Sequence, residues 1–480
     1  MSSKSGTDLT VGSIPKHIIT FSLPMIAGGL LHTAYSFINA IWVGQYLGRQ
    51  ALAAITVSFP VVFTVIGIAI GMTLAANILV SQRYGAKRFD ELRRIVDATM
   101  VLSYGLGIVL MILGEVFAPF VLRAMDTPPD VFHESVGYLR IYMVSLPLTF
   151  GTFALRSMLQ GMGDSRTPLL FQFGSVVLMT ILDPLLIFGH LGLPRLGLNG
   201  TAWATNIAQL VVVIALHVHL RLRGSPIAPR WPRFEGLGAE VKTVLRIGIP
   251  ASVQQSLGSL GMVMVTGIVN GFGEVSTAAF GAASRIDQIA FLPAINFGMA
   301  ISTLAGQNLG AGHLDRVREV FRWGCLFSGT ISLVISFVAA VFPEVLLRVF
   351  IGDPEVIQHG VAYLHIVGSC YVFFSLMFVS NGIINGSGST VVTTLISLIS
   401  LWVFRVPVAY WLSRAMNSEL GVWYAISLSF LVSMVVSMGY YFSGRWKQAL
   451  GKKKGPSSSP TDAKPVPDPG EVFVNEVGEV

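Results

Sequence analysis

The sequence predicts an all-α integral membrane protein of twelve transmembrane helices arranged in two six-helix halves. Its 480 residues are 53% hydrophobic and only 12% charged, whereas soluble domains contain about 25% charged residues. The apolar residues form continuous runs of the length that crosses a bilayer as a helix, which is about 20 residues. These runs lack the alternating pattern of transmembrane β-strands, and only helices and closed barrels satisfy the backbone in lipid.

Twelve apolar stretches are separated by turns that contain Gly, Pro or charged residues. The predicted spans are 17–44, 51–81, 92–118, 135–161, 168–190, 200–221, 245–270, 277–306, 320–350, 358–385, 391–413 and 420–443. The spans and the segments between them divide the chain into an N-terminal segment 1–15, an N-lobe 16–222, a connector 223–241, a C-lobe 242–446 and a tail 447–480. The tail is rich in Lys, Ser, Pro, Asp and Glu and is predicted to be disordered.

Basic residues are distributed unequally between the two sides of the predicted membrane. Of the 32 Lys and Arg residues, 23 fall on the side of both termini. Five fall on the other side, namely Arg49, Arg123, Arg195, Arg348 and Arg414. Because Lys and Arg are in excess in cytoplasmic loops, both termini are predicted to be cytoplasmic and the chain to lie in the cytoplasmic membrane. The net charge of +7 is spread over short loops, so no nucleic acid is expected as a partner.

The two halves of the sequence repeat at an offset of 225 residues. Matching residues occur at three turns: Gly48, Ala53 and Ala54 with Gly273, Ala278 and Ala279; Gln82, Gly85, Ala86, Asp90 and Arg93 with Gln307, Gly310, Ala311, Asp315 and Arg318; and Gly161 and Gly163 with Gly386 and Gly388. Each unit holds an even number of spans, so both copies enter the membrane from the same side. The halves are therefore predicted to be parallel repeats related by an axis along the membrane normal, as in secondary transporters.

No enzymatic or nucleotide-driven chemistry is indicated by the motifs. The Walker A, H-E-x-x-H and G-x-S-x-G patterns do not occur, and Cys325 and Cys370 have no metal or redox spacing. We therefore predict no enzyme activity, no cofactor and no metal site. A transporter without a nucleotide-hydrolysing site must use an ion gradient. The candidate residues are therefore ionisable groups inside the spans.

Asp183, in the fifth predicted span, is the first candidate for ion coupling. A carboxylate at this depth costs a few kcal/mol unless it is paired, hydrated or protonated. The equivalent positions of the second half, 406–408, carry no carboxylate, which suggests a specialised N-lobe. Tyr35 and Asn39 lie four residues apart on one helix face and at a similar depth.

The sixth predicted span brings three more polar residues to the level of Asp183, namely Thr201, Thr205 and Asn206. Together with Tyr35, Asn39 and Asp183 they are predicted to form an ion-coupling pocket. The alternative is that these side chains join neighbouring helices by hydrogen bonds, as polar residues commonly do in membranes.

Five residues of the second half are candidates for the lining of a solute cavity, namely Gln254, Gln255, Arg285, Asp287 and Arg405. Arg285 and Asp287 are two residues apart and so do not face each other. Arg405 is a candidate partner for Asp287. The two glutamines follow Pro250 and could equally join helices.

Several short motifs occur in order along the chain, namely INAIWVG at 38–44, the turns SQRYGAKR and GQNLGAGH, the turn LQGMGDSRTP and LDP at 182–184. In this order they resemble the multidrug and toxic compound extrusion (MATE) family, and its DinF-like branch in particular. The resemblance implies two six-helix lobes in a V around a central cavity, and export of amphipathic, often cationic compounds in exchange for H⁺ or Na⁺. It also implies that Asp183 is the coupling residue.

Two departures from the family pattern affect the expected ion. The DinF-like pattern commonly has an aspartate where this chain has Asn39, and the acidic residues of the NorM-like branch on helices 7 and 10 have no counterpart here. Because asparagine does not titrate, coupling to H⁺ is favoured over Na⁺. We therefore predict a monomeric secondary exporter of small amphipathic or cationic solutes in the lipid bilayer. A flippase for lipid-linked saccharides and a membrane-embedded enzyme are the alternatives.

Overall fold

The computed structural model describes residues 6–228 and 236–447, and throughout them the secondary structure is helical, without a β-strand. The first five residues of the predicted N-terminal segment and part of the predicted connector lie outside these ranges. The predicted tail also lies outside them, apart from its first residue.

The N-lobe consists of seven α-helices. They are α1 (Ile14–Trp42), α2 (Gly48–Gly85), α3 (Phe89–Ala124), α4 (Pro129–Val144), α5 (Leu146–Gly161), α6 (Arg166–Phe188) and α7 (Leu198–Leu222). A π-helical turn, Val43–Leu47, follows α1. Helices α4 and α5 meet at an angle of 46°, so they are two parts of the single span predicted at 135–161.

The C-lobe consists of nine α-helices. They are α8 (Gly238–Asn270), α9 (Glu274–Gly310), α10 (Leu314–Val341), α11 (Pro343–Arg348), α12 (Pro354–Ile366), α13 (Tyr371–Gly386), α14 (Thr390–Leu398), α15 (Val406–Ala415) and α16 (Leu420–Phe442). A π-helical segment, Ile399–Arg405, joins α14 to α15. The predicted span 358–385 is divided between α12 and α13.

The helices account for twelve membrane crossings. Nine stretches of the described residues are long and apolar enough to cross a membrane, and the bent pair α4 and α5 is a tenth. One of the nine, Ile14–Gly85, has 72 residues and would be about 108 Å long as one helix, so α1 and α2 are two crossings. Helix α8 is less apolar, but its 33 residues pack between α2 and α14 and provide the twelfth.

The backbone preserves the 225-residue repeat in detail. Gly48, the first residue of α2, and Gly273, the residue just before α9, have φ values of 84° and 100°. Gly163 and Gly388 have φ values of 80° and 88°. These left-handed conformations favour glycine because it has no Cβ. The duplication predicted from the turns is therefore also a duplication of backbone geometry.

The two lobes are joined by a symmetric contact that we call the latch, formed by Gln82, Gly85, Gln307 and Gly310. The Gln82 side-chain amide donates to the carbonyl of Gly386 at 2.8 Å, and Gln307 donates to the carbonyl of Gly161 at 2.9 Å. A Cβ on Gly85 would lie 2.0 Å from the Gln307 carbonyl oxygen, and one on Gly310 would lie 2.0 Å from that of Gln82. Both glycines thus permit the helices to touch through their backbones.

The N-terminal segment crosses the same end of the molecule and contacts both lobes. The Thr7 amide donates to the carbonyl of Met162 in the N-lobe, at 3.0 Å. The Leu9 amide donates to the side chain of Gln307 in the C-lobe, also at 3.0 Å, and Leu9 is buried. We call this end, where Ile14 and Trp446 share one hydrophobic cluster, the terminal face.

Away from the terminal face the lobes separate and leave a cleft between α1 and α9. On α9, Leu292 and Asn296 pack against Gly29 of α1, where a Cβ would lie 3.3–3.4 Å from their side chains. Gly281, Arg285 and Gln288 continue the same face of α9 further from the terminal face, and all three are exposed. The cleft is therefore closed at the terminal face and open at the opposite one.

Candidate ion-coupling and solute site

Asp183 is the centre of a polar cluster inside the N-lobe. It lies on α6, and its side chain is fully buried. The Tyr35 hydroxyl donates to Asp183 Oδ2 at 3.2 Å, and the Asn39 amide donates to the same oxygen at 3.3 Å. Asp183 Oδ1 is buried without a hydrogen-bond partner among the described residues. One carboxylate oxygen thus ties α1 to α6, while the other is left to accept a proton or an ion.

The helix spacing of α1 explains why Tyr35 and Asn39 both reach Asp183. Residues four apart lie one above the other on a helix. Of the three candidates on α7, Thr205 lies beside the Tyr35 hydroxyl. The structure therefore brings together Asp183, Tyr35, Asn39 and Thr205.

The other two candidates on α7 form hydrogen bonds with backbone carbonyls. Thr201 donates to the carbonyl of Leu198 in its own helix at 2.9 Å, and Asn206 donates to the carbonyl of Ile141 on α4 at 2.8 Å. Asn206 thereby joins two helices, which is the role that the alternative interpretation assigned to it. Thr201 lies one turn from Thr205 on the same face of α7, whereas Asn206 is turned about 100° away from Thr205.

Tyr138 of α4 is a further neighbour of Asp183 that the sequence reasoning missed. Its hydroxyl is close enough to both Tyr35 and Asp183 for an electrostatic interaction. The signal was available, because Tyr138 and Tyr142 are four residues apart and their rings pack with centroids 6.3 Å apart. It was the same spacing that singled out Tyr35 and Asn39.

The C-lobe buries a second carboxylate, that of Asp287 on α9. The Tyr363 hydroxyl donates to Asp287 Oδ2 at 2.5 Å, and the Tyr371 hydroxyl donates to Oδ1. Only 8% of Asp287 is exposed, and Trp423 packs against Tyr363 with ring centroids 4.8 Å apart. Asp287, predicted to line a solute cavity, is thus enclosed by aromatic rings inside the lobe.

Arg405 is also placed inside the C-lobe. Its Nε donates to the Ser429 hydroxyl at 2.6 Å, and its guanidinium lies over the Phe430 ring, 4.9 Å from the centroid. Among the described residues it forms no direct ion pair with Asp287, although the two charges interact at longer range. The predicted pairing of these residues is therefore electrostatic rather than a hydrogen-bonded contact.

The two glutamines of α8 have different surroundings. Gln254 donates to the Ser397 hydroxyl on α14 at 2.7 Å and so holds two helices of the C-lobe together. Gln255 packs against Gly67 of α2, where a Cβ would lie 3.3 Å from its Cγ. Gln255 thus lies between the lobes, at the floor of the cleft.

Arg285 faces the cleft itself. It lines a cavity of about 470 Å³ together with five further residues of α9, among them Ser284 and Gln288, and with Phe350 and Ile351, which follow α11. No acidic side chain of the described residues pairs with it. Of the five candidates in the second half, Arg285 is therefore the one that presents a charge to the open space between the lobes.

The comparison with known families matches each lobe separately. The sequence model of the MatE family matches residues 24–185 and again residues 250–411, one match for each copy of the repeat. The chain belongs to the MatE family.

Relatives and a solved structure match most of the chain of this MatE protein. The probable multidrug resistance protein YoeA of Bacillus subtilis is 33% identical over 92% of this chain and 95% of its own length. The FAD transporter of Shewanella oneidensis is 24% identical over 82% of this chain and 87% of its own length. A structure described as the outward-facing conformation of a multidrug resistance MATE family transporter is 22% identical, with a TM-score of 0.87, over 94% of this chain and 100% of that one.

The MatE match confirms the predicted fold class of two related six-helix lobes arranged in a V. It also confirms a multi-pass membrane transporter fold. The DinF-like branch, the lobe boundaries and the roles of the individual residues stay predictions.

Proposed function

We propose that this MatE protein is a secondary active exporter that moves amphipathic solutes out of the cell in exchange for H⁺, with Asp183 as the coupling group. The observation that carries the proposal is the state of the Asp183 carboxylate. It is fully buried, one oxygen accepts two hydrogen bonds from α1, and the other oxygen has no partner among the described residues. A buried carboxylate in a membrane span is expected to be functional.

Protonation of Asp183 would change the contact between α1 and α6. Hydrogen bonds to an ionised carboxylate are about twice as strong as bonds between neutral groups. A proton on the carboxylate therefore weakens the hold of Tyr35 and Asn39 and lets α1 pack differently. Because α1 is one wall of the cleft, a proton can bias the transporter between two packings without touching the solute.

The residues around Asp183 favour H⁺ over Na⁺. Asn39 adds an amide where a second carboxylate would give a cation two negative ligands, so Asp183 is the only acid of its cluster. A proton needs one carboxylate oxygen, and Oδ1 supplies it.

The distribution of basic residues supports an orientation with the terminal face in the cytoplasm. In that orientation the latch closes the cytoplasmic end, and the cleft opens to the outside. This conformation is the one in which an external proton would reach Asp183 and a solute would leave.

The proposal is tested by transport in proteoliposomes under an imposed pH gradient, with fluorescein and rhodamine 6G as an anionic and a cationic amphipathic probe. We expect the pH gradient to drive transport of at least one of the two dyes. Asp183→Asn should abolish this gradient-driven transport while leaving the protein folded. Asp126→Asn is the matched control, because Asp126 lies in an exposed turn with a φ of 50°, which asparagine also tolerates. Gradient-driven transport by the Asp183→Asn protein would refute the proposed coupling.

Two alternatives give different results in the same vesicles. A flippase for lipid-linked saccharides would need several basic side chains around a pyrophosphate, and would translocate such lipids without a pH gradient. A membrane-embedded enzyme would form product without a gradient. The cleft wall of α9 presents Arg285 as its one basic residue among those described, which favours the exporter.

The relatives' names do not settle the solute. One is named a probable multidrug resistance protein and another a FAD transporter.

A further inference from the structure

Among the described residues, the charged side chains that a solute in the cleft can contact are positive. The carboxylates of the two lobes are withdrawn from it, since Asp183 is fully buried and Asp287 is 8% exposed beneath Tyr363 and Tyr371. Glu115 lies in a span but pairs with Arg140 across 3.8 Å. A cationic solute would thus meet no free carboxylate on the described walls of the cleft.

Arg285 is exposed on the cleft face of α9. It lies on the same helix face as Leu292, which packs against Gly29 of the opposite lobe. Arg285 is seven residues further from that contact, about 10 Å along the helix. Asn39 is ten residues beyond Gly29 on α1, about 15 Å. The guanidinium therefore lies across the cleft at nearly the level of the Asp183 cluster.

Two polar side chains, those of Ser284 and Gln288, lie near Arg285. The Ser284 hydroxyl is buried at its oxygen and has no hydrogen-bond partner among the described residues. Gln288 lies one turn further along the same face and also lines the cavity. Guanidinium, hydroxyl and amide groups together donate several hydrogen bonds to one oxyanion.

The rest of the cavity suits an apolar ring. Phe350 and Ile351 form part of the wall, together with Ala278 and Ala282. The volume of about 470 Å³ lies within the range of cavities that hold small ligands. A charged end and an apolar end are therefore provided side by side.

We propose that Arg285, with Ser284 and Gln288, is the recognition site for an anionic group of the exported solute, so that the preferred solutes are amphiphiles with a carboxylate, sulfonate or phosphate next to an apolar ring. This inference rests on the proposed exporter function and names its substrate class. It opposes the preference for cations that the family resemblance implies. It also separates the tasks of the lobes, because the N-lobe binds the proton out of reach of the solute while the C-lobe binds the solute.

The test is fluorescence anisotropy of fluorescein and rhodamine 6G with the purified full-length protein, since the two dyes share a ring system but differ in charge. The wild type should bind fluorescein more tightly than rhodamine 6G. Arg285→Gln should weaken fluorescein binding by about tenfold, the usual cost of a charge-assisted contact, and leave rhodamine 6G unchanged. Arg285→Lys should keep part of the affinity, and Arg285→Glu should reverse the preference.

Arg140→Gln is the matched control, because it removes the same charge from an exposed side chain outside the cleft. The proposal fails if the wild type prefers rhodamine 6G, if fluorescein binds more weakly than about 1 mM, or if Arg285→Gln and Arg140→Gln have equal effects.

Failure of the anion-site proposal can be distinguished from failure of the exporter proposal. Asp183→Asn should still bind fluorescein, because Asp183 does not face the cleft. Fluorescein binding that depends on Arg285, without gradient-driven transport by the wild type, would reject the proton coupling alone. Gradient-driven transport with unchanged fluorescein binding by Arg285→Gln would reject the anion site alone.

Discussion

The N-lobe and the C-lobe each bury one aspartate beneath tyrosine hydroxyls, and they differ in what they leave free. In the N-lobe both donors share Asp183 Oδ2, and Oδ1 has no partner among the described residues. In the C-lobe Tyr363 and Tyr371 each occupy one oxygen of Asp287. The first carboxylate has an oxygen available for a proton, whereas the second is satisfied by fixed donors.

The 225-residue repeat shows which parts of the two aspartate sites occupy equivalent positions. Tyr138 and Tyr363 are separated by 225 residues, so they are equivalent, and each lies beside the carboxylate of its lobe. The carboxylates themselves lie on non-equivalent helices, α6 and α9. The tyrosine position is thus common to both lobes, while the acid has been placed separately in each.

Where the lobes meet, by contrast, the halves are alike. The latch hydrogen bonds of Gln82 and Gln307 are 2.8 and 2.9 Å long, and the two glycine contacts are equally close. A contact on the pseudo-symmetry axis needs the same residue from both copies, whereas an ion site inside one lobe does not. The halves therefore agree at the terminal face and differ at mid-membrane.

The largest expected effect on stability is that of Asp287→Asn. The asparagine has one acceptor oxygen for two tyrosine hydroxyls, and the charge that Arg405 interacts with is lost. We expect the free energy of unfolding to fall by about 3 kcal/mol, measured by thermal unfolding in detergent.

Asp183→Asn is the comparison variant in the same assay. Its two donors share one oxygen, which an amide retains, so we expect it to lose less than about 1 kcal/mol while losing the proton drive. The folded fraction of Asp287→Asn should keep gradient-driven transport. If instead Asp287→Asn abolishes the drive at full stability, the C-lobe carboxylate also carries coupling and the contrast between the lobes is wrong.

Helix spacing and depth were sufficient to predict part of the N-lobe cluster from the sequence. The four-residue spacing of Tyr35 and Asn39 predicted their common face, and span counting predicted their level. The same reasoning could not place Asn206, because adjacent residues such as Thr205 and Asn206 are turned about 100° apart on a helix.

Contacts between distant segments were beyond the reach of the sequence. The repeat predicted that two Gln-x-x-Gly-Ala turns exist, but spacing alone does not show that they meet. The bond from Leu9 to Gln307 joins residues 298 positions apart, and no local pattern in the N-terminal segment indicates it. Such pairings depend on how the lobes dock.

The next largest effect is expected from Gly85→Ala and Gly310→Ala, which test the equality of the halves at the latch. Each added Cβ would lie 2.0 Å from a backbone carbonyl oxygen of the other lobe. Overpacking of this kind costs about 2 kcal/mol, which should open the terminal face equally in both variants. The measurement is maleimide labelling, from the terminal face, of a cysteine at position 302. Ser302 is a buried residue of α9 whose carbonyl lies beside Gly386, the acceptor of the Gln82 bond. The Ser302→Cys substitution is made in a protein whose Cys325 and Cys370 are replaced by alanine.

Gly267→Ala is the control for the latch, because a Cβ there has no neighbour within 4 Å. It should label as slowly as the parent. A rise in labelling for only one of the two latch variants would show that the terminal face closes asymmetrically.

The smallest effect is expected from Asn39→Asp, which tests whether the lack of a second carboxylate beside Asp183 determines which ion is coupled to transport. Asn39→Asp would place a second acid beside Asp183, at the position from which the Asn39 amide now donates across 3.3 Å. Two adjacent carboxylates repel each other unless a proton or cation lies between them, so the variant should acquire affinity for Na⁺. At a Na⁺ concentration about five times the dissociation constant, binding stabilises the folded protein by about 1 kcal/mol.

Thermal unfolding in NaCl and in choline chloride at equal ionic strength measures this stabilisation. The wild type and Asn39→Ser should show no difference between the two salts, since neither has the second carboxylate. Stabilisation of the wild type by Na⁺ would mean that Tyr35, Asn39 and Thr205 already complete a cation site around Asp183, and the exporter would then be coupled to Na⁺. Stabilisation of Asn39→Asp alone would show that the N-lobe selects H⁺ because it offers one carboxylate with one open oxygen.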